Sequence, residues 1–427
     1  MQGIAVETYV ELRTQRRITA LCCVLYLALG IARYNYSACL SAIVEAEAFS
    51  RATAGFIGTL SFFAFALGTA LGGFVADRAS SRRLILWAML ASGACNLVFY
   101  VTDSYPVMLV VWTLNGLAQG PIFSSVLHLL SDFYPRERVT GASVTVQCAF
   151  FVGVGAAYAV SALAIRFFTW REAFLAAALA CALFSLVWNP VLKRAERQLP
   201  AAAEAGPARA AEAAKAQPAA GRAPGAWTLL RCAGLALLPL PLLVQGILRD
   251  GITAWGPSYV GELFGLDESL AVASSMVIPL ISILGIFAST YVRAWQRGNE
   301  LRAAAAFFLL STGLLAALVL TEGWSLALSL LLLAGATACM SATNAMLINA
   351  VPLQFGADGK SGALSAVLNT AVYLGSGLSM CGIGLYVTAF GWRATSLGWT
   401  LLCAAAATVC CLAVRPWTRY KERRGWR

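Results

Sequence analysis

The chain has 427 residues, 59% of them hydrophobic and only 12% charged, with a formal net charge of +11 and a mean hydropathy of +0.73. A soluble domain carries about 25% charged residues, so a water-soluble globular fold is excluded and an integral membrane protein is implied. The first 17 residues are largely polar and no cleavable leader is evident, so the first apolar run reads as a retained span.

Apolar runs of spanning length lie near residues 18–40, 54–76, 84–102, 107–131, 139–165 and 172–192. They resume near 231–260, 269–292, 303–321, 324–350, 362–390 and 394–414. About 20 apolar residues cross a ~30 Å hydrocarbon core as a helix. The sequence therefore predicts an all-α membrane protein of twelve transmembrane helices. Between the sixth and seventh runs, residues 194–226 turn rich in Ala, Pro, Glu, Lys and Arg, and Pro200, Pro207, Pro218 and Pro224 interrupt any long helix. This divides the chain into an N-terminal bundle at 1–192, a cytoplasmic linker at 193–230 with room for a short Ala-rich helix, and a C-terminal bundle with a short tail at 231–427.

On this layout Arg51, Arg166, Arg171 and Arg393 fall on one side, and Arg33 and Arg249 fall inside spans. All the other Lys and Arg lie on the side that carries both termini. That asymmetry is the positive-inside signature, so the basic excess reports topology and not nucleic-acid binding. It places both termini in the cytoplasm of a multi-pass protein of the inner or plasma membrane. The 12 Cys lie almost entirely within spans without a CxxC pair, and His128 is the only histidine, so no metal site or cofactor is expected. No GxxxxGK[ST] loop and no catalytic constellation occurs, which argues against both ATP-driven transport and an enzyme.

Two charges stand where the bilayer should exclude them. An arginine at a span centre costs about 2.5–3.5 kcal/mol on insertion scales and normally faces a protein interior or an aqueous cavity. Arg33 and Arg249 hold matching places in a duplicated chain. Arg78 follows Arg33 by 45 residues and Arg293 follows Arg249 by 44; Gly153-x-Gly155 precedes Trp170-Arg171 at the spacing with which Gly375-x-Gly377 precedes Trp392-Arg393. Repeats of six spans with a midplane site between them characterise one large class of secondary transporters.

The loop Gly72-Gly73-Phe74-Val75-Ala76-Asp77-Arg78-Ala79-Ser80-Ser81-Arg82-Arg83 resembles the G-x-x-x-D-R-x-G-R-R signature of the major facilitator superfamily, with serines at two of its positions. By that resemblance Asp77, Arg78 and Arg82 gate the cytoplasmic side. Arg33-Tyr34-Asn35-Tyr36, Leu248-Arg249-Asp250-Gly251-Ile252, Asn115-Gly116-x-x-Gln119-Gly120 and Tyr373-Leu374-Gly375 resemble the organophosphate:phosphate antiporters within it. The resemblance implies a small organic anion, a phosphate ester or carboxylate, carried by alternating access and held by Arg33 and Arg249, with Tyr26, Tyr373 and Gln147 beside it. Guanidinium offers a planar fork of donors suited to such an anion, and two of them across one empty cavity would repel.

The glycerol-phosphate branch commonly has lysine at the positions of Tyr34 and Thr69, and histidine at that of Phe150. Fewer cations favour a less charged anion. Asp250 is adjacent to Arg249, yet successive helix residues point about 100° apart, so the two are not expected to pair, and Asp250 is the one candidate for proton coupling. The alternatives are a transporter-like anion sensor and a proton-coupled carboxylate or drug carrier. Trp255 and Tyr259 are spaced as an interfacial belt pair. The expected partners are the anion and the lipid bilayer, with no protein partner evident.

Overall fold

The computed structural model describes residues 12–76, 80–134, 136–197, 226–296, 298–355 and 361–425. Every regular element among them is helical, as required where no water satisfies backbone polar groups. The linker between 197 and 226, and with it any Ala-rich helix there, lies outside the described residues, as do Asp77 and Arg78.

The first crossing is α1 (Leu12–Ala38), continued by the short α2 (Leu40–Ala46). α3 (Arg51–Ala76) and α4 (Ser81–Val101) follow. The fourth crossing breaks at Gly120-Pro121 into α5 (Tyr105–Gln119) and α6 (Ile122–Phe133), since proline lacks the N–H that the helix ladder needs. α7 (Arg136–Phe167) and α8 (Arg171–Glu196) complete this series. After a short α9 (Ala226–Cys232) come α10 (Pro239–Phe264), α11 (Glu268–Ser275) with α12 (Val277–Trp295), and α13 (Glu300–Leu320). α14 (Leu326–Asn344) runs into a π-helical turn (Ala345–Ala350), and α15 spans Ser361–Arg424.

Among the described residues, ten helices are long and apolar enough to cross a membrane. One of them, α15, would be roughly 95 Å long if straight, three times a bilayer core. Gly391, with φ 77° and ψ 178°, divides it where the sequence places the boundary between the last two spans. A positive φ is open to glycine at little cost. α10 fills the seventh crossing while carrying Arg249, Asp250 and Glu262. The predicted twelve crossings result.

The helices before Arg197 pack on one another, chiefly α1 on α7 and α8, α3 on α5, and α4 on α8. Those after Ala226 do likewise, with α10 and α13 on both α14 and α15, and α12 on α14. The two sets meet where α3 lies on α15 and α7 on α11 and α12.

Two close crossings recur at matching places. Gly30 of α1 meets Gly153 of α7: a Cβ on Gly30 would lie 2.6 Å from the Gly153 carbonyl carbon. Gly246 of α10 meets α15 near Gly375: a Cβ on Gly246 would lie 2.0 Å from the Val372 oxygen, and one on Gly375 2.0 Å from the Leu243 oxygen. Small residues let backbones approach in this way when lipid surrounds the bundle.

Among the described residues, each set is tied at the basic end by one ionic latch. In the first, Arg82 at the start of α4 bonds Glu196 at the end of α8 (2.8 Å) and also donates to Asn189, while the Trp188 indole N–H donates to the Arg82 carbonyl (2.9 Å). In the second, Glu300 at the start of α13, 1% exposed, accepts from Lys421 (3.3 Å) and Trp417 (3.0 Å) near the end of α15 and from Gln354 (3.1 Å). Arg82, expected to act in a gate, bonds within its own set.

Trp255 and Tyr259 are buried in the second set and do not form an interfacial belt. The Trp255 indole donates to the Met380 carbonyl (3.1 Å), and Tyr259 stands edge-on to Trp392 at 5.4 Å. Both rings face the bundle because α10 is walled on several sides, a relation between helices that residue spacing does not encode.

The glycine crossings give a stability prediction. Gly246→Ala forces backbone apart and is expected to cost about 1–3 kcal/mol, read as a lower midpoint of thermal unfolding in detergent. Gly313→Ala, where a Cβ meets nothing within 4 Å, is expected to be neutral or slightly stabilising. Equal midpoints for the two would contradict the close packing.

Candidate functional site

Arg33 and Arg249 each lie one helical turn beyond a close glycine crossing, in the pattern Gly30-x-x-Arg33 and Gly246-x-x-Arg249. The crossings fix the depth of both arginines.

A buried amide network sets the roll of α1 at this level. The Tyr36 N–H donates to its neighbour's side chain, Asn35 Oδ1, at 3.0 Å. The Ala32 carbonyl accepts from the amides of Asn96 (3.2 Å), Asn115 (3.2 Å) and Gln119 (3.5 Å), reaching in from α4 and α5. Asn35 also donates to Asn96 Oδ1 (2.8 Å). Buried amide networks of this kind favour one arrangement of helices, and this one orients the residue after Ala32, which is Arg33.

The Arg33 guanidinium carbon lies 3.5 Å over the Phe65 ring, with Phe62, Tyr373 and Tyr34 at 5.2, 5.8 and 6.0 Å. Phe65 in turn meets Tyr373 edge-on at 4.7 Å. Cation–π contact uses the face of the guanidinium and leaves its N–H edge free. Among the described residues no carboxylate pairs with Arg33.

Arg249 differs. Its Nε and Nη2 donate to both oxygens of Asp250, at 3.0 and 2.9 Å. The expectation that adjacent residues would not pair is thus corrected. The long arginine stem folds back along the helix, and the reach of four methylene-length bonds outweighs the 100° offset at Cα. Asp250, 3% exposed, also accepts from the Tyr34 hydroxyl of α1 (3.2 Å) and from the Ser376 hydroxyl of α15. Tyr34 stands where the glycerol-phosphate branch commonly has lysine, and here it supplies a bond to the carboxylate. Arg33, Arg249 and Asp250 together therefore bring one net positive charge to this level of the bundle, and mutual repulsion of two bare arginines does not describe it.

All five residues expected at the substrate site, Tyr26, Arg33, Gln147, Arg249 and Tyr373, line one cavity of about 170 Å3 at mid-depth between the two sets, and Asp250 lines it too. Phe150, where the related branch has histidine, is edge-on to Tyr26 and Tyr34. The sequence reading missed Asn344, Asn349 and Asn369, which also line it. Asn344 ends α14 and Asn349 sits in the π-helical turn, a feature frequent at functional sites. Their signal was available as amides in apolar spans, but their common wall was not.

Among the described residues, the side-chain bonds that join the two sets lie at mid-depth or on the side away from the latches. Arg51 bonds Glu262 at 2.6 Å, Thr59 donates to the Gly377 carbonyl at 2.7 Å, Ser269 to that of Ala162 at 3.0 Å, and Tyr158 to that of Thr253. These bonds tie the two sets together on that side.

A helical bundle of twelve crossings around a mid-depth, charge-bearing cavity is the architecture of a secondary transporter. The chain belongs to the Major Facilitator Superfamily, whose profile matches residues 22–380; it is a multi-pass membrane protein, a transporter by family and not an enzyme. It is 25% identical over 311 residues to the membrane sensor protein UhpC of Escherichia coli (strain K12), covering 67% of each chain. A probable hexose phosphate transport protein of Chlamydia muridarum (strain MoPn / Nigg) is 21% identical over 163 residues, 38% of this chain and 36% of that one. A bacterial homolog of the human lysosomal transporter Spinster, solved inward-facing and occupied, shares the fold with a TM-score of 0.76 at 14% identity, over 96% of this chain and 99% of that one.

The pairing of Arg249 with Asp250 is testable by stability. Arg249→Ala strands a buried carboxylate and is expected to cost about 3–5 kcal/mol. Arg249→Ala combined with Asp250→Ala is expected to recover most of that loss, measured by thermal unfolding in detergent. Additive losses would show that the two do not interact.

Proposed function

We propose that this chain moves a small organic anion of single negative charge across the inner or plasma membrane by alternating access, with Arg33 as the principal anion-binding residue. The observation that carries the reading is the contrast between the arginines. Arg33 presents unpaired N–H donors to the cavity, whereas Arg249 has committed two of its donors to Asp250. A guanidinium has five donors, so Arg249 keeps three for the same ligand. Tyr26, Tyr373 and Gln147 complete the wall. Asp250, with four donors already on its oxygens, acts as a fixed counter-ion and not as a proton carrier.

In this reading residues 1–192 and 231–427 move as two units joined by the linker at 193–230. Both termini and the basic latches face the cytoplasm, and Asp77 and Arg78 gate that side. The bonds on the opposite side, Arg51 to Glu262 among them, then hold the carrier closed to the exterior and open inward. Net charge favours a carboxylate or a singly ionised phosphate ester over a dianion. The match to a probable hexose phosphate transport protein of Chlamydia muridarum supports an anionic substrate.

A second reading is favoured by the match to a membrane sensor over two thirds of both chains: the cavity would bind its anion and report occupancy without net transport. Counterflow in proteoliposomes loaded with phosphate, sugar phosphates or monocarboxylates separates the two. Exchange of a monoanion is expected, with about 10–100-fold loss in Arg33→Ala, the scale of charge-assisted hydrogen bonds, and partial loss in Arg33→Lys, which keeps the charge without the fork. Anion binding without exchange would establish the sensor. Undiminished exchange by Arg33→Ala would sink the proposed site.

A further inference from the structure

We propose that the anion taken by this cavity carries an aryl group beside its charge, seated against the rings of Tyr26, Tyr34, Phe150 and Phe151. The inference rests on the anion-binding reading above and adds to it the nature of the anion's body.

The cavity wall repeats at helical spacing. On α1 it takes Tyr26, Leu29 and Arg33, and on α7 Gln147, Phe150, Phe151 and Val154. Residues three, four and seven apart share one face of a helix, so each of these helices turns a single stripe to the cavity. The α7 stripe holds one polar residue, Gln147, and the rest of it is apolar. Phe123 of α6, 37% exposed, lines the same cavity.

The rings form a continuous array. Phe150 meets Tyr34 edge-on at 5.7 Å, Phe151 at 5.9 Å and Tyr26 at 6.1 Å. Rings in edge-on contact do not cover one another's faces as stacked rings do, so a further ring can join them, with a gain beyond its buried area. Tyr34 is where the array meets the charge, its centroid lying 6.0 Å from the Arg33 guanidinium carbon. An anion on the free edge of Arg33 therefore has aromatic surface next to it.

A polyhydroxylated body does not suit this wall. Leu29, Phe65, Phe150, Phe151 and Val154 offer no side-chain hydrogen bond. The Tyr34 hydroxyl is given to Asp250, and the Gln119 amide to Ser92 and Asn115. Hydroxyls set against such a surface lose water without replacement, whereas an aryl ring loses only apolar hydration. A flexible alkyl chain would find the same surface but would give up rotamer freedom and the ring-to-ring gain. Asn344, Asn349 and Asn369 line the cavity from the second set of helices, so the two walls differ in kind.

Ligands of matched charge test this on the purified full-length chain in detergent, with apparent affinity taken from dose-dependent thermal stabilisation. Acetate, hexanoate, gluconate and phenylacetate are monoanions with no body, an alkyl body, a polyol body and an aryl body; phenylacetamide carries the ring without the charge. Phenylacetate is expected to bind about 10–100-fold more tightly than acetate and more tightly than hexanoate or gluconate, with phenylacetamide not bound. The preference over acetate is expected to fall toward one in Phe150→Ala. Should that variant fail to fold, Phe123→Ala is expected to reduce the preference several-fold. Phenylacetate no tighter than acetate, hexanoate or gluconate, or a preference unchanged in both variants, with binding lost in Arg33→Ala, would overturn the aryl inference and leave anion binding standing. Binding of phenylacetamide equal to that of phenylacetate, binding that survives Arg33→Ala, or no binding by any monoanion at millimolar concentration, would overturn both.

Discussion

The Asp250 carboxylate is the constraint around which the centre of this protein is arranged. An arginine cannot sit at mid-depth in a bilayer without a partner or water, and Asp250 supplies the partner for Arg249. A buried carboxylate in turn needs its own lone pairs filled. Tyr34 reaches it from α1 and Ser376 from α15, so one anion joins helices from both sets. A charge pair of this kind is weak support for stability, and with Tyr34 and Ser376 on the same carboxylate it links α1, α10 and α15. A rearrangement that separates α1 from α10 must break the Tyr34 bond, which places this carboxylate on the path of any rocking between the sets.

The duplication has kept positions and changed partners. Both arginines follow a close glycine crossing by one turn, yet Arg33 rests on aromatic faces and Arg249 on a carboxylate. The same depth in the membrane is thus stabilised in two ways. Stacking leaves the hydrogen-bonding edge of Arg33 available; ion pairing consumes part of that of Arg249. The asymmetry of the site lies in what surrounds each arginine and not in the arginines themselves.

Much of this was legible in the sequence, and the limits have physical causes. Spans, their number and the side carrying the basic residues follow from hydropathy and charge, which act along the chain. The joining of Tyr26, Arg33, Gln147, Arg249 and Tyr373 in one cavity followed from their resemblance to a known family, since no local pattern brings α1, α7, α10 and α15 together. Reach decided the error at Arg249 and Asp250: Cα directions describe short side chains well and arginine poorly. The reading of Trp255 and Tyr259 as a belt failed because burial is set by neighbouring helices. Gly30-x-x-Arg33 and Gly246-x-x-Arg249 were visible as letters, but a glycine three residues before an arginine gains meaning only when another backbone is seen against it.

The two latches at the basic end carry opposite signs. The first set places its cation on α4 and its anion on α8, through Arg82 and Glu196; the second places its anion on α13 and its cation on α15, through Glu300 and Lys421. A chain whose two sets of helices hold glycine crossings and arginines at matching places risks mispairing as it inserts, with a helix of one set docking in the place of its counterpart. Here such an exchange would set Arg82 against Lys421 and Glu300 against Glu196, like charges that disfavour a wrong partner. The inverted signs therefore disfavour such an exchange and favour each helix within its own set.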